Sequence, residues 1–173
     1  MRQTLQGVNW PTLAVLGVGL VALAVTHEPA RRAAHDGSEH GSVVGRVVRA
    51  VDGDTAVVWV GGRLETVRYI GLDTPESVKP GTPVQCFAHE ASQHNAKLVE
   101  GKRVRLSFGA ERRDIYGRLL AYVHRGDLFV NALLLAGGYA RTLEIAPNVD
   151  HAALFARLQA RAEEKGLGLW SEC

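Results

Sequence analysis

After residue 42, five short stretches of the chain either alternate apolar with polar residues or are rich in β-branched residues, patterns typical of β-strands. The predicted strands are Val43–Val51, Thr55–Val60, Leu64–Leu72, Arg103–Phe108 and Arg118–His124. Gly61 and Gly62 separate the second strand from the third, which predicts a tight hairpin between them.

Apolar residues recur at helical spacing in three other stretches, Phe87–Val99, Ala132–Ala136 and His151–Lys165, and predict three helices. We expect Asn131 and Asp150 to cap the second and third of these helices. Short strands dominate the first part of this region and helices the last, without βαβ alternation. This order predicts an α+β domain built on a small antiparallel barrel.

The first 26 residues have a different character. Trp10–Val25 contains no ionisable side chain, Arg2 precedes it, and it closes on the small residues Ala22 and Ala24. These are the features of a secretory signal peptide. An uncleaved membrane anchor is the alternative, because the run is just shorter than the roughly 17 to 25 residues of a spanning helix. Either interpretation predicts an extracytoplasmic protein, secreted or held at the membrane by residues 10–26.

Residues 27–42 contain no Val, Ile, Leu, Met or aromatic side chain. Such a segment cannot bury enough apolar surface to offset the entropy lost on ordering, so it is predicted to be a flexible linker. Residues 43–173 then form the folded domain.

The overall composition is that of a globular protein, with 46% hydrophobic and 22% charged residues and only two cysteines. It excludes a mostly disordered chain, a collagen-like repeat and a disulfide-dense mini-protein. The net charge is only +2, so any attraction for nucleic acid must come from where charges are placed.

Three carboxylates, Asp54, Asp73 and Glu76, are candidates for a site, although each also fits an ordinary turn or loop. A two-residue hairpin loop at Gly61–Gly62 would set Asp54 opposite Tyr69, and a three-residue loop would set it opposite Arg68. In both cases the aspartate lies at the end of the ribbon that leads to the other two carboxylates.

Carboxylates gathered in this way repel one another unless a cation lies among them, and an oxygen-only set favours a hard ion such as Ca²⁺. Arg68 and Arg118, which follows the turn Asp114–Gly117, add two guanidinium groups. A cation with two planar guanidiniums suits a phosphodiester whose charge rises in the transition state.

Several ordered motifs resemble the staphylococcal nuclease (thermonuclease-like) family over roughly Val43–Trp170. They are VDGDT (51–55), VRYIGLDTPES (67–77), Glu90–Ala91, DIYGRLLAYV (114–123), VNALLLAGGYA (130–140) and the terminal GLW (168–170). The resemblance implies a five-stranded OB-type antiparallel barrel with three helices. It also implies Ca²⁺-dependent hydrolysis of DNA and RNA, leaving 5′-hydroxyl and 3′-phosphate ends.

The same resemblance assigns roles to individual residues. Asp54, Asp73 and the Thr74 carbonyl match metal ligands, Arg68 and Arg118 match catalytic arginines, and Glu76 matches the glutamate that activates or orients water. Tyr116 matches a substrate-phosphate contact, and Asp52 and Thr55 match supporting positions. The alternative is a non-catalytic OB module that binds single-stranded nucleic acid.

The chain departs from this family in its substrate-binding positions. Leu143 and Ile145 stand where the staphylococcal enzyme has two tyrosines that pack on a base, and Ile115 replaces a lysine. We expect these changes to weaken substrate binding before they affect chemistry.

Remaining features bear on stability and partners. Cys86 and Cys173 are expected to form a disulfide in an exported chain, with two free thiols as the alternative. His89 and His94 are expected to be solvated, and Trp59 and Trp170 to be core or staple residues rather than stacking platforms. Lys102, Arg103, Arg105, Arg112 and Arg113 form a basic cluster that fits either a nucleic-acid backbone or a solvated barrel rim. No protein partner is predicted, and we expect a monomer.

Overall fold

A computed structural model describes residues 40–77, 81 and 83–173. The predicted signal peptide or anchor, and nearly all of the predicted linker, lie outside these described residues. Within them, no helix has both the length and the apolar composition required to cross a membrane.

Eight strands and four helices form the described part of the domain. The strands are β1 Ser42–Ala50, β2 Thr55–Val60, β3 Arg63–Tyr69, β4 Leu72–Asp73, β5 Arg103–Ser107, β6 Leu119–Arg125, β7 Leu128–Phe129 and β8 Arg141–Thr142. The helices are α1 Ala88–Val99, α2 Val130–Ala136, α3 Ala152–Glu164 and α4 Leu169–Glu172.

Five of these strands close into a barrel. β1 pairs antiparallel with both β2 and β5, β2 with β3, and β5 with β6. The barrel closes through β3 and β6, which pair in parallel, so the predicted antiparallel barrel is confirmed except at this one seam.

The hairpin between β2 and β3 has the two-residue loop. Gly61 and Gly62 both have positive φ, 58° and 83°, as the tight turn requires. The register pairs Thr55 with Arg68, and the Tyr69 amide donates to the Asp54 carbonyl at 2.9 Å. Asp54 therefore lies opposite Tyr69, the first of the two predicted registers.

The barrel interior is filled by the inward-facing side chains of its strands. It includes Val47, Val58, Val67, Tyr69, Val104, Leu106, Ala121 and Val123, all almost fully buried. Leu134 and Leu135 of α2 and Phe155 of α3 extend this core outward, so the helices cover one side of the barrel.

The three predicted helices are confirmed, but both predicted caps are wrong. Asn131 lies inside α2, where its side chain accepts from the Val123 amide and donates to the Ile70 carbonyl, both at 2.8 Å. The N-cap of α3 is His151, without a capping side chain, so Asp150 is not the cap. Asn131 bonds to other elements instead of its own helix. The third helix begins one residue later than a cap at Asp150 would place it.

Three further features were not predicted, and the first is the short strand β7, which pairs with the end of β6. β4 and β8 form a separate two-stranded ribbon, because the chain turns at Gly71 (φ 83°) instead of continuing β3 to Leu72. The short helix α4 ends the chain. Just before α1, the sulfur of Cys86 lies 2.16 Å from that of Cys173.

Candidate active site

The turn between β1 and β2 presents the first carboxylates. Its shape is set by local hydrogen bonds, in which the Val51 amide donates to the Thr55 carbonyl at 2.8 Å and the Asp54 amide donates to Asp52 Oδ1 at 3.0 Å. A Cβ on Gly53 would lie 2.6 Å from Thr74 Oγ1, so only glycine fits there. This close approach brings Thr74 against the turn.

The Asp54 carboxylate is buried and its two oxygens are hydrogen-bonded. Oδ2 accepts from the Thr74 amide at 2.7 Å and from Thr74 Oγ1 at 2.9 Å. Oδ1 accepts from Thr55 Oγ1 at 3.1 Å and pairs with Arg68 Nη1. Three hydrogen-bond donors from the two threonines, together with the Arg68 ion pair, therefore hold this aspartate in one orientation.

Arg68 lies between two carboxylates. One guanidinium nitrogen pairs with Asp54, and Nη2 donates to Asp73 Oδ1 at 2.7 Å. The Arg68 side chain is only 14% exposed, whereas that of Asp73 is 58% exposed. The guanidinium thus forms the inner wall of the site, and Asp73 forms its rim.

Negative charge is in excess at this end of the barrel. Burial, with the charge of Asp54 adding, raises the pKa of Asp52 to about 6. Burial also raises the pKa of Asp73, with Asp54 and Glu76 adding to the effect and Arg68 opposing it. One paired arginine does not balance these carboxylates, and additional positive charge would stabilise their ionised forms.

Glu76 follows on the loop that leaves β4, and Gln85 anchors this loop. The Glu76 amide donates to Gln85 Oε1 at 2.8 Å, and the Gln85 amide donates to the Glu76 carbonyl at 3.0 Å. The loop therefore begins and ends at one reciprocal pair, directly before Cys86.

The turn before β6 brings in the second arginine. Asp114 Oδ1 accepts from the amides of Tyr116 and Arg118 at 3.0 and 2.9 Å, and its Oδ2 accepts from Arg118 Nε at 2.6 Å. The Arg118 guanidinium lies 5.4 Å from the centre of the Tyr116 ring, which is 77% exposed. Asp114 thus orients the Arg118 side chain and holds the backbone of Tyr116.

All the predicted catalytic, metal-binding, substrate-binding and supporting residues line one cleft of about 540 Å³. Its lining includes Asp52, Asp54, Thr55, Arg68, Asp73, Thr74, Glu76, Tyr116 and Arg118. Segments separated by more than sixty positions along the chain come together here, because β3 and β6 pair in parallel (Arg68 with Leu120).

A second cavity, of about 380 Å³, adjoins this cleft. The two cavities share Arg68, Tyr116 and Arg118, and the second is otherwise largely apolar. Leu143 and Ile145, the two positions without the tyrosines of the staphylococcal enzyme, line it.

Sequence reasoning missed three residues that support the site, namely Asp114, Gln85 and Asn95. Asn95 is fully buried on α1, where its Oδ1 accepts from the Tyr69 hydroxyl at 3.1 Å and its Nδ2 donates to the Asp52 carbonyl at 2.8 Å. The sequence did contain a signal for Asn95, which is a polar residue on the apolar face of the helix. The buried residues of α1 are Ala88, Ala91, Asn95 and Val99.

Metal ligands are not preassembled in the described part of the chain, where no group of three or more His, Cys, Asp or Glu side chains is arranged to hold an ion. The Arg68 guanidinium holds the position between Asp54 and Asp73. The donors themselves are carboxylate, hydroxyl and carbonyl oxygens, the set that a hard divalent cation takes.

A closed five-stranded barrel with a carboxylate and arginine cleft on its outer wall defines an OB-type protein suited to holding a phosphate ester. The comparisons agree. The family model described as staphylococcal nuclease homologue matches residues 66–172. The chain belongs to the staphylococcal nuclease homologue family.

Curated relatives are similar over most of the chain. A thermonuclease of Staphylococcus intermedius is 44% identical over 124 residues, covering 72% of this chain and 74% of the relative. A thermonuclease of Staphylococcus hyicus is 38% identical, covering 73% and 75%. Endonuclease YncB of Bacillus subtilis is 40% identical, covering 72% and 60%. The protein is a nuclease, and thus a hydrolase.

Proposed function

We propose that this chain is an exported, Ca²⁺-dependent endonuclease that hydrolyses DNA and RNA without discriminating between the sugars, leaving 5′-hydroxyl and 3′-phosphate ends. The observation that carries the proposal is one cleft lined by buried Asp54, exposed Asp73, Glu76 and two arginines. A metal-binding carboxylate pair, a base and two charge-stabilising cations are the groups that phosphodiester hydrolysis requires.

Arg68 and Arg118 stabilise the charge that develops on the phosphate. Asp114 already orients the Arg118 guanidinium, and Asp54 and Asp73 hold the Arg68 guanidinium within the same cleft. Planar donors of fixed direction suit the equatorial oxygens of a phosphate in the transition state. Tyr116 lies beside Arg118 at the mouth of the cleft and contacts a substrate phosphate.

Glu76 orients the attacking water and accepts its proton. The water oxygen forms a bond to phosphorus, the bond from phosphorus to the 5′ oxygen breaks, and that oxygen takes up a proton as it leaves. The products are a 3′-phosphate and a 5′-hydroxyl. The pair of hydrogen bonds to Gln85 keeps the Glu76 backbone at the edge of the cleft during this step.

Asp54, Asp73 and the Thr74 carbonyl are the residues that would hold Ca²⁺, with Asp52 and Thr55 supporting Asp54. The fit rests on the oxygen-only donor set and on the grouping of Asp52, Asp54, Asp73 and Glu76 around one cleft. The bound ion would supply positive charge against the phosphate oxygens. Arg68 pairs with the same carboxylates, so binding of an ion there would leave its guanidinium available to the phosphate.

The apolar second cavity receives a base next to the scissile phosphate, held by Leu143 and Ile145 through apolar contact instead of aromatic stacking. Without an aromatic face, this contact is weaker and tolerates any base. The proposal therefore includes little base preference and a Michaelis constant higher than that of an enzyme with tyrosines at these two positions.

Export follows from residues 1–26 as a signal peptide or anchor, with the domain secreted or held at the membrane. A disulfide between Cys86 and Cys173 is consistent with that compartment, since oxidising surroundings preserve such bonds.

A direct assay tests the activity. The purified full chain is incubated with plasmid DNA or with RNA, in Ca²⁺ or in EDTA, and the ends of the products are analysed. We expect cleavage of both polymers in Ca²⁺ only, with 5′-hydroxyl and 3′-phosphate ends. Binding without cleavage would overturn the proposal in favour of a non-catalytic binding module.

A substitution tests the role of Glu76. We expect Glu76→Gln to retain the fold and Ca²⁺ binding while kcat falls by about 100-fold or more, because a positioned base contributes about 10²- to 10⁴-fold. Circular dichroism and calorimetric Ca²⁺ titration are the controls. Wild-type turnover in this variant would refute the assignment.

A further inference from the structure

The outer face of β2 and β3 continues directly from the catalytic cleft. Along β3, Leu64, Thr66 and Arg68 alternate onto one side of the strand, and the last two line the cleft. Their partners on β2 are Trp59, Val57 and Thr55. Leu64 lies four residues from Arg68, so this face extends about 13 Å from the catalytic arginine.

Trp59 and Leu64 are paired across the two strands and are exposed. Trp59 is 50% and Leu64 is 56% exposed, so the expectation that Trp59 belongs to the core is wrong. The open tryptophan face and its aliphatic neighbour form a contiguous apolar patch, and a patch of this kind rimmed by polar residues is suited to binding a ligand.

Arginines extend the same face across β1 and β5. Arg46 is the register partner of both Trp59 and Arg103, and Arg49 is the partner of Val57. Like charges directly opposite each other destabilise a sheet. None of Arg46, Arg49 and Arg103 forms an ion pair with a residue that the structure describes.

The register positions on this face, which we call the Trp59 face, contain no acidic residue in the described strands. They are Val44, Arg46, Arg49, Thr55, Val57, Trp59, Leu64, Thr66, Arg68, Arg103 and Arg105. A polyanion would relieve the repulsion between Arg46 and Arg103. An exposed aromatic with arginines next to it on the same face is the arrangement that binds single-stranded nucleic acid.

We propose that the Trp59 face binds the single-stranded part of the substrate that flanks the phosphodiester in the cleft. A base stacks on Trp59 and Leu64 contacts its edge. Arg46 and Arg103, which follow Trp59 across β1 and β5, bind successive backbone phosphates on that side of the base. This inference rests on the proposed nuclease function, because continuity with the catalytic cleft identifies the occupant as the substrate strand.

The kinetic test varies substrate length. Wild type, Trp59→Ala and Trp59→Tyr are compared on octathymidylate and on dithymidylate in Ca²⁺. We expect Trp59→Ala to raise KM for the octamer by about tenfold, the effect of losing one base stack, with kcat retained and a much smaller effect on the dimer. Trp59→Tyr should restore most of the loss. Equal effects on both substrates, or none on either, would overturn the proposal.

A binding test in EDTA removes any dependence on cleavage. The affinity of the full chain for labelled octathymidylate is measured by anisotropy over a range of salt concentrations. We expect Arg46→Gln and Arg103→Gln each to reduce the salt slope by about 0.7, as loss of one phosphate contact does on a single strand. Arg157→Gln, an exposed arginine on α3 with the same change in charge, should leave the slope unchanged. A slope that falls equally in all three variants would overturn the proposal.

The two tests separate this inference from the proposed function. Salt-dependent, Trp59-dependent binding in a chain that cleaves nothing would leave the Trp59 face standing and the nuclease proposal refuted. Cleavage in which Trp59→Ala affects the octamer and the dimer alike would leave the nuclease proposal standing and refute the inference about the Trp59 face. Binding to vesicles with anionic lipid is measured as a further arm. If Trp59→Ala loses vesicle binding but retains oligonucleotide binding, the face belongs to a membrane and the inference is overturned.

Discussion

Arg68 has two alternative partners at the residue scale, the aspartates that hold it in this structure and the phosphate that it is proposed to stabilise. Its guanidinium is buried against Asp54, and removing one partner of a buried ion pair leaves an uncompensated charge. Under the proposed function, the same residue is a structural cation in the absence of metal and would become a catalytic group in its presence.

For Arg68→Ala, we expect kcat to fall by at least about 100- to 1000-fold, the effect of one preorganised donor. We also expect the metal-free variant to lose about 3 to 5 kcal/mol of unfolding free energy, because Asp54 stays buried without its partner. Calcium should raise the Tm of the variant by more than that of wild type, since it replaces the missing charge. Equal Ca²⁺-induced shifts in Tm would contradict this account.

His94 is a second residue whose surroundings differ from the expectation of solvation. Its ring stacks on Tyr139 with centroids 3.9 Å apart. Burial, with the Lys97 charge adding, lowers the pKa of His94 from its ordinary value of 6.5. The unfolded chain therefore takes up the His94 proton at a higher pH than the folded chain.

The sign of the effect follows by linkage. As pH falls below the unfolded pKa of 6.5, the unfolded state binds more protons, so the free energy of unfolding falls until the folded His94 also titrates. We expect His94→Gln to flatten this decline between about pH 7 and pH 5 in thermal melts. His89→Gln, at an exposed position on the same helix, should retain the wild-type slope, and the same retention in His94→Gln would count against the prediction.

At the scale of elements, Gln85 is the residue that positions the backbone of Glu76. Two hydrogen bonds join these two residues, and α1 begins three residues after Gln85. The helix thereby holds the position of Glu76 without touching the substrate.

We expect Gln85→Ala to lower kcat by about 10- to 100-fold, since small displacements of a catalytic group have effects of that size. KM and Tm should change little, because the side chain is exposed and its bond is confined to the loop. Gln85→Glu retains an acceptor oxygen and should recover most of the rate. A fall in Tm parallel to kcat, or no rescue by glutamate, would argue for a general structural role.

The elements themselves were largely predictable, because strand alternation, helical spacing and the Gly61–Gly62 turn are local signals. The helix caps were not, because Asn131 satisfies backbone groups of β6 and of the Ile70 turn rather than its own helix. Asn95 was missed for the same reason, as its partners Tyr69 and Asp52 belong to other elements. A side chain that bonds across elements leaves no periodic signature.

At the scale of the whole molecule, the chain end is drawn back to the start of α1. Cys86 and Cys173 lie 87 positions apart in sequence with their Cα atoms 5.9 Å apart. The Leu169 amide adds a hydrogen bond to the Gly138 carbonyl at 2.9 Å, and Arg141 lies 4.2 Å from the Trp170 ring centre. These contacts attach α4 to the body of the domain.

Opening the bond between Cys86 and Cys173 is expected to lower the free energy of unfolding by about 4 to 5 kcal/mol, since so long a loop restricts the unfolded chain strongly. Urea unfolding of the double variant Cys86→Ser and Cys173→Ser measures this effect. Wild type in dithiothreitol is the matched control and should behave like the double variant. An unchanged urea midpoint would show that the bond contributes little.

Part of the candidate site follows from local sequence signals, and part depends on the tertiary structure. The hairpin register alone brings Asp54 and Arg68 to one end of a ribbon, and the chain that follows adds Asp73, Thr74 and Glu76. The positions of Arg118, Tyr116, Leu143 and Ile145 beside them depend on the parallel pairing of β3 with β6 and on the loops around it. That pairing joins distant segments, which no local pattern specifies.

The sequence by itself determined the five barrel strands, the three longer helices, the hairpin turn and the identity of the reactive side chains, because each follows from short-range geometry and chemistry. Periodicity also determined that Trp59 shares a side of its strand with Val57 and Thr55. Only the tertiary structure decided that this side faces solvent next to the cleft. Alternation assigns residues to two faces, but barrel closure and helix packing choose which face is covered.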